Sequence, residues 1–262
     1  MEHVIKKEGE FTYLDNERSG NPLMLLHGLF GQLSNFDDMI EYFYEKRRIV
    51  VPILPIYDTP LRKATVNGMV EYVTRFTNWR NYEAVDVLGN SLGGHIALLF
   101  ALANPGKIRS IILTGSSGLF ENALGSSFPK RSNRDFVRNK TETVFYDPKD
   151  ASEAMIDEIY ESINDRNKAL RLITMAKSAI RENLADRLDA IQVPTLLVWG
   201  NQDTITPPFV AEQFKELIRD SRVVFIDKCG HAPMMEHPVE FNEALEEFLQ
   251  EIESEYATTT IT

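Results

Sequence analysis

Ser91 lies in Gly89-Asn90-Ser91-Leu92-Gly93-Gly94, with a glycine two residues before it and another two after. A serine hydroxyl becomes a nucleophile when a neighbouring base takes its proton and an acid orients that base. A turn tight enough to project such a hydroxyl leaves no room for side chains at those flanking positions, which Gly89 and Gly93 satisfy. A bare G-x-S-x-G also arises by chance, as a glycine-rich turn with an incidental serine, so context decides. Here an apolar run, residues 84–90, leads into the motif and a helical pattern, 92–104, leads out of it. The helix amino terminus behind Ser91 then favours developing negative charge. Gly94 is read as allowing close helix–sheet packing and nothing more.

Five histidines compete to be the base. His3 lies at the ragged start, and His27 belongs to a His-Gly turn. His95 falls on the helix after Ser91, where packing or a surface hydrogen bond accounts for it. His237 precedes Pro238 at the opening of the final helix and reads as a capping or packing residue. His231 hangs off the end of a strand, 222–227, after the Cys229-Gly230 turn, and is taken as the base. The acid is Asp203, just past the strand 195–200 in Gly200-Asn201-Gln202-Asp203. The loop after strand 110–115 reads Ser116-Ser117-Gly118 and carries no carboxylate; Asp227, close to His231 in sequence, is the alternative. A tetrahedral intermediate needs donors for its oxyanion. The Leu92 N–H is one. The Leu29 N–H, in His27-Gly28-Leu29-Phe30-Gly31, is the other.

The elements that must hold these groups alternate along the chain. Short apolar runs at 23–26, 48–55, 84–90, 110–115, 195–200 and 222–227 suit strands of a parallel sheet covered on both faces. Amphipathic stretches at 65–79, 92–104, 208–219 and 239–253 lie between them. The opening segment around Gly9 alternates and reads as an antiparallel hairpin at the sheet edge. From 119 to 190 the alternation stops and helical patterns take over. One face is formed by Met155, Ile156, Ile159, Tyr160 and Ile163; another by Ile173, Ala176, Ile180 and Leu184. The expected architecture is a mostly parallel α/β sheet flanked by helices, formed by residues 1–118 and 191–262. Residues 119–190 form a helical cap over the carboxyl edge, where open α/β sheets bind ligands; a helical layer with no part in binding is the alternative.

Bulk composition narrows the partners. A chain of 262 residues with 43% hydrophobic and 26% charged residues is of ordinary globular character. Its net charge of −11 argues against nucleic acid, whose binding rests on Lys and Arg neutralising phosphates. The single cysteine, Cys229, cannot form an internal disulfide, the opening residues lack a signal-like apolar core, and no apolar run is long enough to span a membrane. The expectation is a cytoplasmic protein acting on a small ester-like molecule, with no membrane partner. No His, Cys or Asp cluster has ligand spacing, so neither metal nor organic cofactor is implied.

HGLFG, GNSLGG, GNQD and CGHAPMMEHP occur in this order and on these elements, and the chain thereby resembles the α/β-hydrolase fold superfamily from His27 to Pro238. The order Ser, Asp, His is that of the superfamily. The resemblance is to its lid-bearing branch: carboxylesterases, C–C bond hydrolases, epoxide hydrolases and haloalkane dehalogenases. The last two use an aspartate nucleophile, which Ser91 speaks against. It implies ester or lactone cleavage by two-step acyl transfer. One rival is a C–C hydrolase of vinylogous diketones, favoured by Asn90 and by a similar cap stretch, and opposed by Ala232 after His231, where that branch usually has Trp. Another is a hydrolase-fold receptor that binds without turnover. Where many relatives carry a glycine-rich loop, this chain has Ile56-Tyr57-Asp58-Thr59-Pro60, which leaves the shape of one pocket wall open.

Overall fold

In the computed structural model, residues 4–31, 33–120 and 133–259 are described. Eight strands make one sheet: β1 (Ile5–Glu8), β2 (Phe11–Asp15), β3 (Leu23–Leu26), β4 (Ile49–Pro52), β5 (Val85–Asn90), β6 (Ile108–Thr114), β7 (Thr195–Gly200) and β8 (Ser221–Ile226). Their order across the sheet is β1-β2-β4-β3-β5-β6-β7-β8. The β1–β2 and β2–β4 pairs are antiparallel and the rest parallel. The hairpin expected at the start is β1–β2, turning at Gly9 in the left-handed region. It pairs onto β4, so it forms the sheet's edge. His3 lies outside the described residues.

The helices are α1 (Asp37–Phe43), α2 (Val66–Trp79), α3 (Leu92–Ala103), α4 (Arg134–Glu142), α5 (Glu153–Asn164), α6 (Arg166–Arg181), α7 (Pro208–Leu217), the single turn α8 (Pro233–Glu236) and α9 (Pro238–Thr259). Thr65 caps α2 by accepting from the Gly68 N–H. The helix α3 is buried along ten of its residues, Leu92 through Ala101, because it packs on β3, β5 and β6 and is covered in turn by α2. The last helix, α9, packs against β6, β7 and β8. Every residue of β6 is buried, as a strand covered on both faces must be. None of the described helices is long and apolar enough to cross a membrane.

Strand order reverses around β3, which lies between β4 and β5. The loops leaving β3 and β5 therefore open a crevice at the carboxyl edge, where this class of sheet binds ligands. Between β6 and β7 the chain departs to form α4, α5 and α6. Their amino termini are capped by Asn133, Ser152 and Asp165. The departure and return meet where the Leu184 N–H donates to the Gly118 carbonyl at 2.8 Å. Part of the interval expected to form a cap, residues 121–132, lies outside the described residues.

One expectation for this interval needs correction. The buried face of α6 is Leu172, Met175, Ser178 and Ala179, whereas the periodicity suggested Ile173, Ala176, Ile180 and Leu184; of these Leu184, past the end of the helix, is buried. In the fold Ile180 is 59% exposed. The stretch is apolar on more than one side, and periodicity cannot choose a stripe without knowing where the core lies. Residues 56–60, where the departure from many relatives left the shape of one pocket wall open, meet the inserted helices: Arg171 on α6 donates to the Thr59 carbonyl at 2.7 Å.

Candidate active site

Ser91 occupies the sharp turn between β5 and α3 with φ 55° and ψ −120°. Non-glycine residues rarely adopt that conformation, and a strained turn of this kind marks a residue whose direction matters. The two flanking glycines explain how the turn fits. A Cβ on Gly93 would lie 1.9 Å from the Leu26 carbonyl oxygen, and one on Gly89 would lie 2.4 Å from the Gly93 backbone. Larger residues cannot occupy either position.

Asp203 and His231 meet at the ends of β7 and β8. Asp203 Oδ2 accepts from His231 Nδ1 at 2.8 Å. The carboxylate is itself held: Oδ1 accepts the N–H groups of Ile205 and Thr206 at 2.8 and 2.9 Å, and Oδ2 accepts the Thr206 hydroxyl at 2.9 Å. Asp203 is 3% exposed and His231 6%. With Nδ1 donating to the carboxylate, Nε2 is left as the acceptor. The alternative acid, Asp227, takes a hydrogen bond from Gln202 at 3.1 Å instead, and this pairing holds its carboxyl below the usual range.

Ser91 and His231 line one cavity of about 390 Å³, within the range of small-molecule sites. Its apolar wall includes Leu29, Phe136, Phe145, Met155, Ile159 and Met235, so the sheet edge and the inserted helices both contribute. Tyr160, grouped with these residues by sequence, does not line it. Among the described residues no hydrogen bond joins the Ser91 hydroxyl to the imidazole, and an unliganded pair of this kind commonly tightens only around substrate. Nor do the N–H groups of Leu29 and Leu92 donate to any protein acceptor among the described residues. Both residues are buried. Buried amides are rarely left unmade, so two beside Ser91 with no acceptor among the described residues are placed to serve a ligand oxygen.

The other described histidines, His27, His95 and His237, have structural partners. His27 Nε2 accepts from the Leu54 N–H at 3.0 Å, which leaves Nδ1 to donate to the Gly28 carbonyl at 2.9 Å. This neutral ring braces the loop that carries Leu29, and burial pushes its pKa down. His95 is fully buried, not at the surface as one reading of its position allowed. Its Nε2 bonds the Glu182 carbonyl at 2.9 Å, and burial pushes its pKa down to about 4. His237 lies at the start of α9, where its carbonyl accepts the Phe241 N–H, and its ring pairs with Glu240 at 3.2 Å. It is a capping residue, as expected.

Three supporting residues escaped the sequence reading. The Asn90 side chain donates to the Thr114 and His231 carbonyls at 3.1 and 3.2 Å. Thr206 secures Asp203. Glu236 binds the His231 loop. An Asp followed three residues later by Thr is a side-chain-to-backbone turn signal that would have found Thr206; Asn90 and Glu236 depend on long-range packing. Among the described residues no cluster of three His, Cys, Asp or Glu side chains could hold a metal ion.

A sheet of this topology, with a strained serine after β5 and a carboxylate–imidazole pair after β7 and β8, defines an α/β-hydrolase framework. Residues 21–238 match the family model described as the alpha/beta hydrolase fold, and the chain belongs to that family. It is 42% identical to MGS-MChE2, an alpha/beta hydrolase enzyme from a lagoon-sediment metagenome (Mar Chica, Morocco), with 95% of this chain and 98% of the other aligned at a TM-score of 0.78. It is 25% identical to Lipase 3 of Moraxella sp. over 87% of this chain and 77% of the lipase. A 2-hydroxy-6-oxononadienedioate/2-hydroxy-6-oxononatrienedioate hydrolase 2 of Pseudomonas putida is 29% identical over 64% of this chain and 63% of its own length. These relatives place the chain among hydrolases.

Proposed function

We propose that the protein is a serine hydrolase of small carboxylic esters or lactones, with Ser91 as nucleophile, His231 as base and Asp203 as the acid that orients it. The observation that carries this reading is the 2.8 Å Asp203–His231 bond at the rim of the cavity that Ser91 lines. The imidazole takes the Ser91 proton as the hydroxyl attacks the carbonyl, and the imidazolium that forms is stabilised by the buried carboxylate. Leu29 and Leu92 N–H groups hold the oxyanion, using amides with no acceptor among the described residues. His231 then protonates the leaving group, and water repeats the sequence on the acyl-enzyme.

In this reading α4, α5 and α6 act as a cap. Phe136, Phe145, Met155 and Ile159 give the cavity an apolar lining, which suits a short or medium acyl chain better than a long lipid. The lipase relative supports ester chemistry. The second reading, cleavage of a C–C bond in a vinylogous diketone, is favoured by the Pseudomonas putida relative and by Asn90 beside the nucleophile. Ala232 after His231 weighs against it. Purified protein offered p-nitrophenyl esters, lactones and a vinylogous diketone side by side decides between them: fast ester turnover is expected, and negligible ester turnover beside fast diketone cleavage would reverse the assignment.

A further inference from the structure

The inserted region touches the base directly through one short segment, residues 143–146. Thr204, next to Asp203, donates its hydroxyl to the Thr143 carbonyl at 2.9 Å. The His231 N–H donates to the Val144 carbonyl at 2.8 Å. The Tyr146 N–H donates to Glu236 Oε2 at 2.7 Å. The two backbones approach so closely that a Cβ on Gly230 would lie 2.5 Å from the Val144 carbonyl oxygen.

Glu236 ties this contact together. The same Oε2 accepts the Gly230 N–H at 2.9 Å, and Oε1 accepts the Ala232 N–H at 3.1 Å. Both residues adjoining His231 are therefore anchored to one carboxylate, which also holds the inserted segment. Hydrogen bonds from backbone amides to an ionised carboxylate are shorter and stronger than neutral ones. Glu236 ends the single turn α8, so it sits five residues after His231 and folds back onto it. A catalytic group displaced by about 1 Å can lose a hundredfold in rate.

We propose that Glu236 is a positioning residue that couples the 143–146 segment to the His231 loop, so that the seating of the inserted helices and the aim of the imidazole are set together. This rests on His231 being the base. Glu236 is not among the residues that line the cavity. Its action is on the backbone either side of the imidazole, and so on the direction of Nε2 and the length of the Nδ1–Asp203 bond.

The test uses Glu236→Ala, Glu236→Gln and His231→Ala in the full chain, with a short-chain p-nitrophenyl ester. The readouts are kcat, KM, the melting temperature and the low-field proton resonance of His231 Nδ1. Glu236→Ala is expected to lower kcat by roughly 100-fold with KM changed only a few-fold, and to broaden or shift the resonance. Glu236→Gln keeps one oxygen acceptor but turns an NH2 toward an N–H, so it should fall in between. A lower melting temperature with kcat and the resonance unchanged would reduce Glu236 to a structural clamp and overturn the proposal. If Glu236→Ala does not fold, the Gln variant decides on the same readouts. Turnover retained in His231→Ala would overturn the reading of the base, and the coupling with it; its loss beside an unaffected Glu236→Ala overturns the coupling alone.

Discussion

The carboxyl edge of the sheet and the helices inserted above it are built by different means. At the edge, Ser91, Asp203 and His231 are held by close backbone contacts and by short hydrogen bonds out of solvent. In the inserted region, α4 and α5 are joined through Arg134 and Arg138 to Glu153 and Asp157, at 2.6–2.7 Å but on the surface. Exposed pairs of this kind contribute little, because solvent screens them and holding two long side chains in one geometry costs entropy. Under the proposed function, the reacting groups tolerate no slack, whereas a wall that selects a substrate can vary at low cost. Changes at the edge should therefore be felt as orders of magnitude in rate, and changes in the inserted helices as shifts in preference.

The largest effect belongs to Ser91. A fluorophosphonate probe should label the protein once, at Ser91, and Ser91→Ala should abolish both label and turnover; intact mass and peptide mapping read the result. Labelling at another residue of active protein would move the centre elsewhere. Asp203→Asn comes next. It keeps the volume but favours the wrong imidazole tautomer, a change that costs about 10⁴ in kcat in a serine-protease triad. Asp227→Asn should leave kcat within a few-fold, since that carboxylate bonds Gln202. The reverse ranking would make Asp227 the acid.

At the seam between the two regions stands His95, on the helix behind Ser91 and bonded to the Glu182 carbonyl beyond the end of α6. Burial holds its folded pKa at about 4, against an ordinary value of 6.5. His27 is shifted the same way. The unfolded chain therefore binds more protons than the folded one between these values, and stability falls as pH drops through this window. It is fully present above pH 6.5 and lost progressively toward pH 4. For His95 alone the loss is on the order of 3 kcal/mol. Urea midpoints measured from pH 7 to 4.5 should decline, and His95→Gln should flatten the slope. An unchanged slope in that variant would mean other groups carry the acid sensitivity.

The same division governs what the sequence revealed. The turn between β5 and α3 was legible because it admits only glycine two residues either side of Ser91, and backbone sterics leave a mark at fixed spacing. Asp203 and His231 were legible because each follows a strand run at the sheet's carboxyl edge. The stripe of α6 was not, since its residues are apolar on more than one side and only the docked neighbour selects Leu172 and Met175 over Ile173 and Ile180. Glu236 was visible as a residue but not as a ligand of Gly230, Ala232 and Tyr146. That role depends on a one-turn helix bringing it back against a segment ninety residues earlier, which no local pattern encodes.

The smallest effect, and the one that tests the inserted wall itself, concerns chain length. Phe145 is buried and lines the cavity, while Tyr160 on α5 does not. Each methylene that fits adds about 0.8 kcal/mol of burial, so kcat/KM for p-nitrophenyl esters should climb by a few-fold per carbon and then drop when the cavity is full. Phe145→Ala enlarges the cavity beside Ser91 without removing the backbone groups of residues 144 and 146 that dock on the His231 loop. It should move the drop to longer chains while kcat on the shortest ester stays near its original value. Tyr160→Ala should leave the cutoff in place. Because truncating a buried aromatic costs about 3–5 kcal/mol of stability, the comparison belongs at a temperature where both variants are folded, checked by circular dichroism. A cutoff that moves with Tyr160 and not with Phe145 would mean that the substrate's acyl chain runs along a different side of α5 from the one the cavity marks out. A monotonic rise to long chains, with activation at lipid interfaces, would mean that the inserted helices open to form a lipid-facing groove rather than closing a pocket.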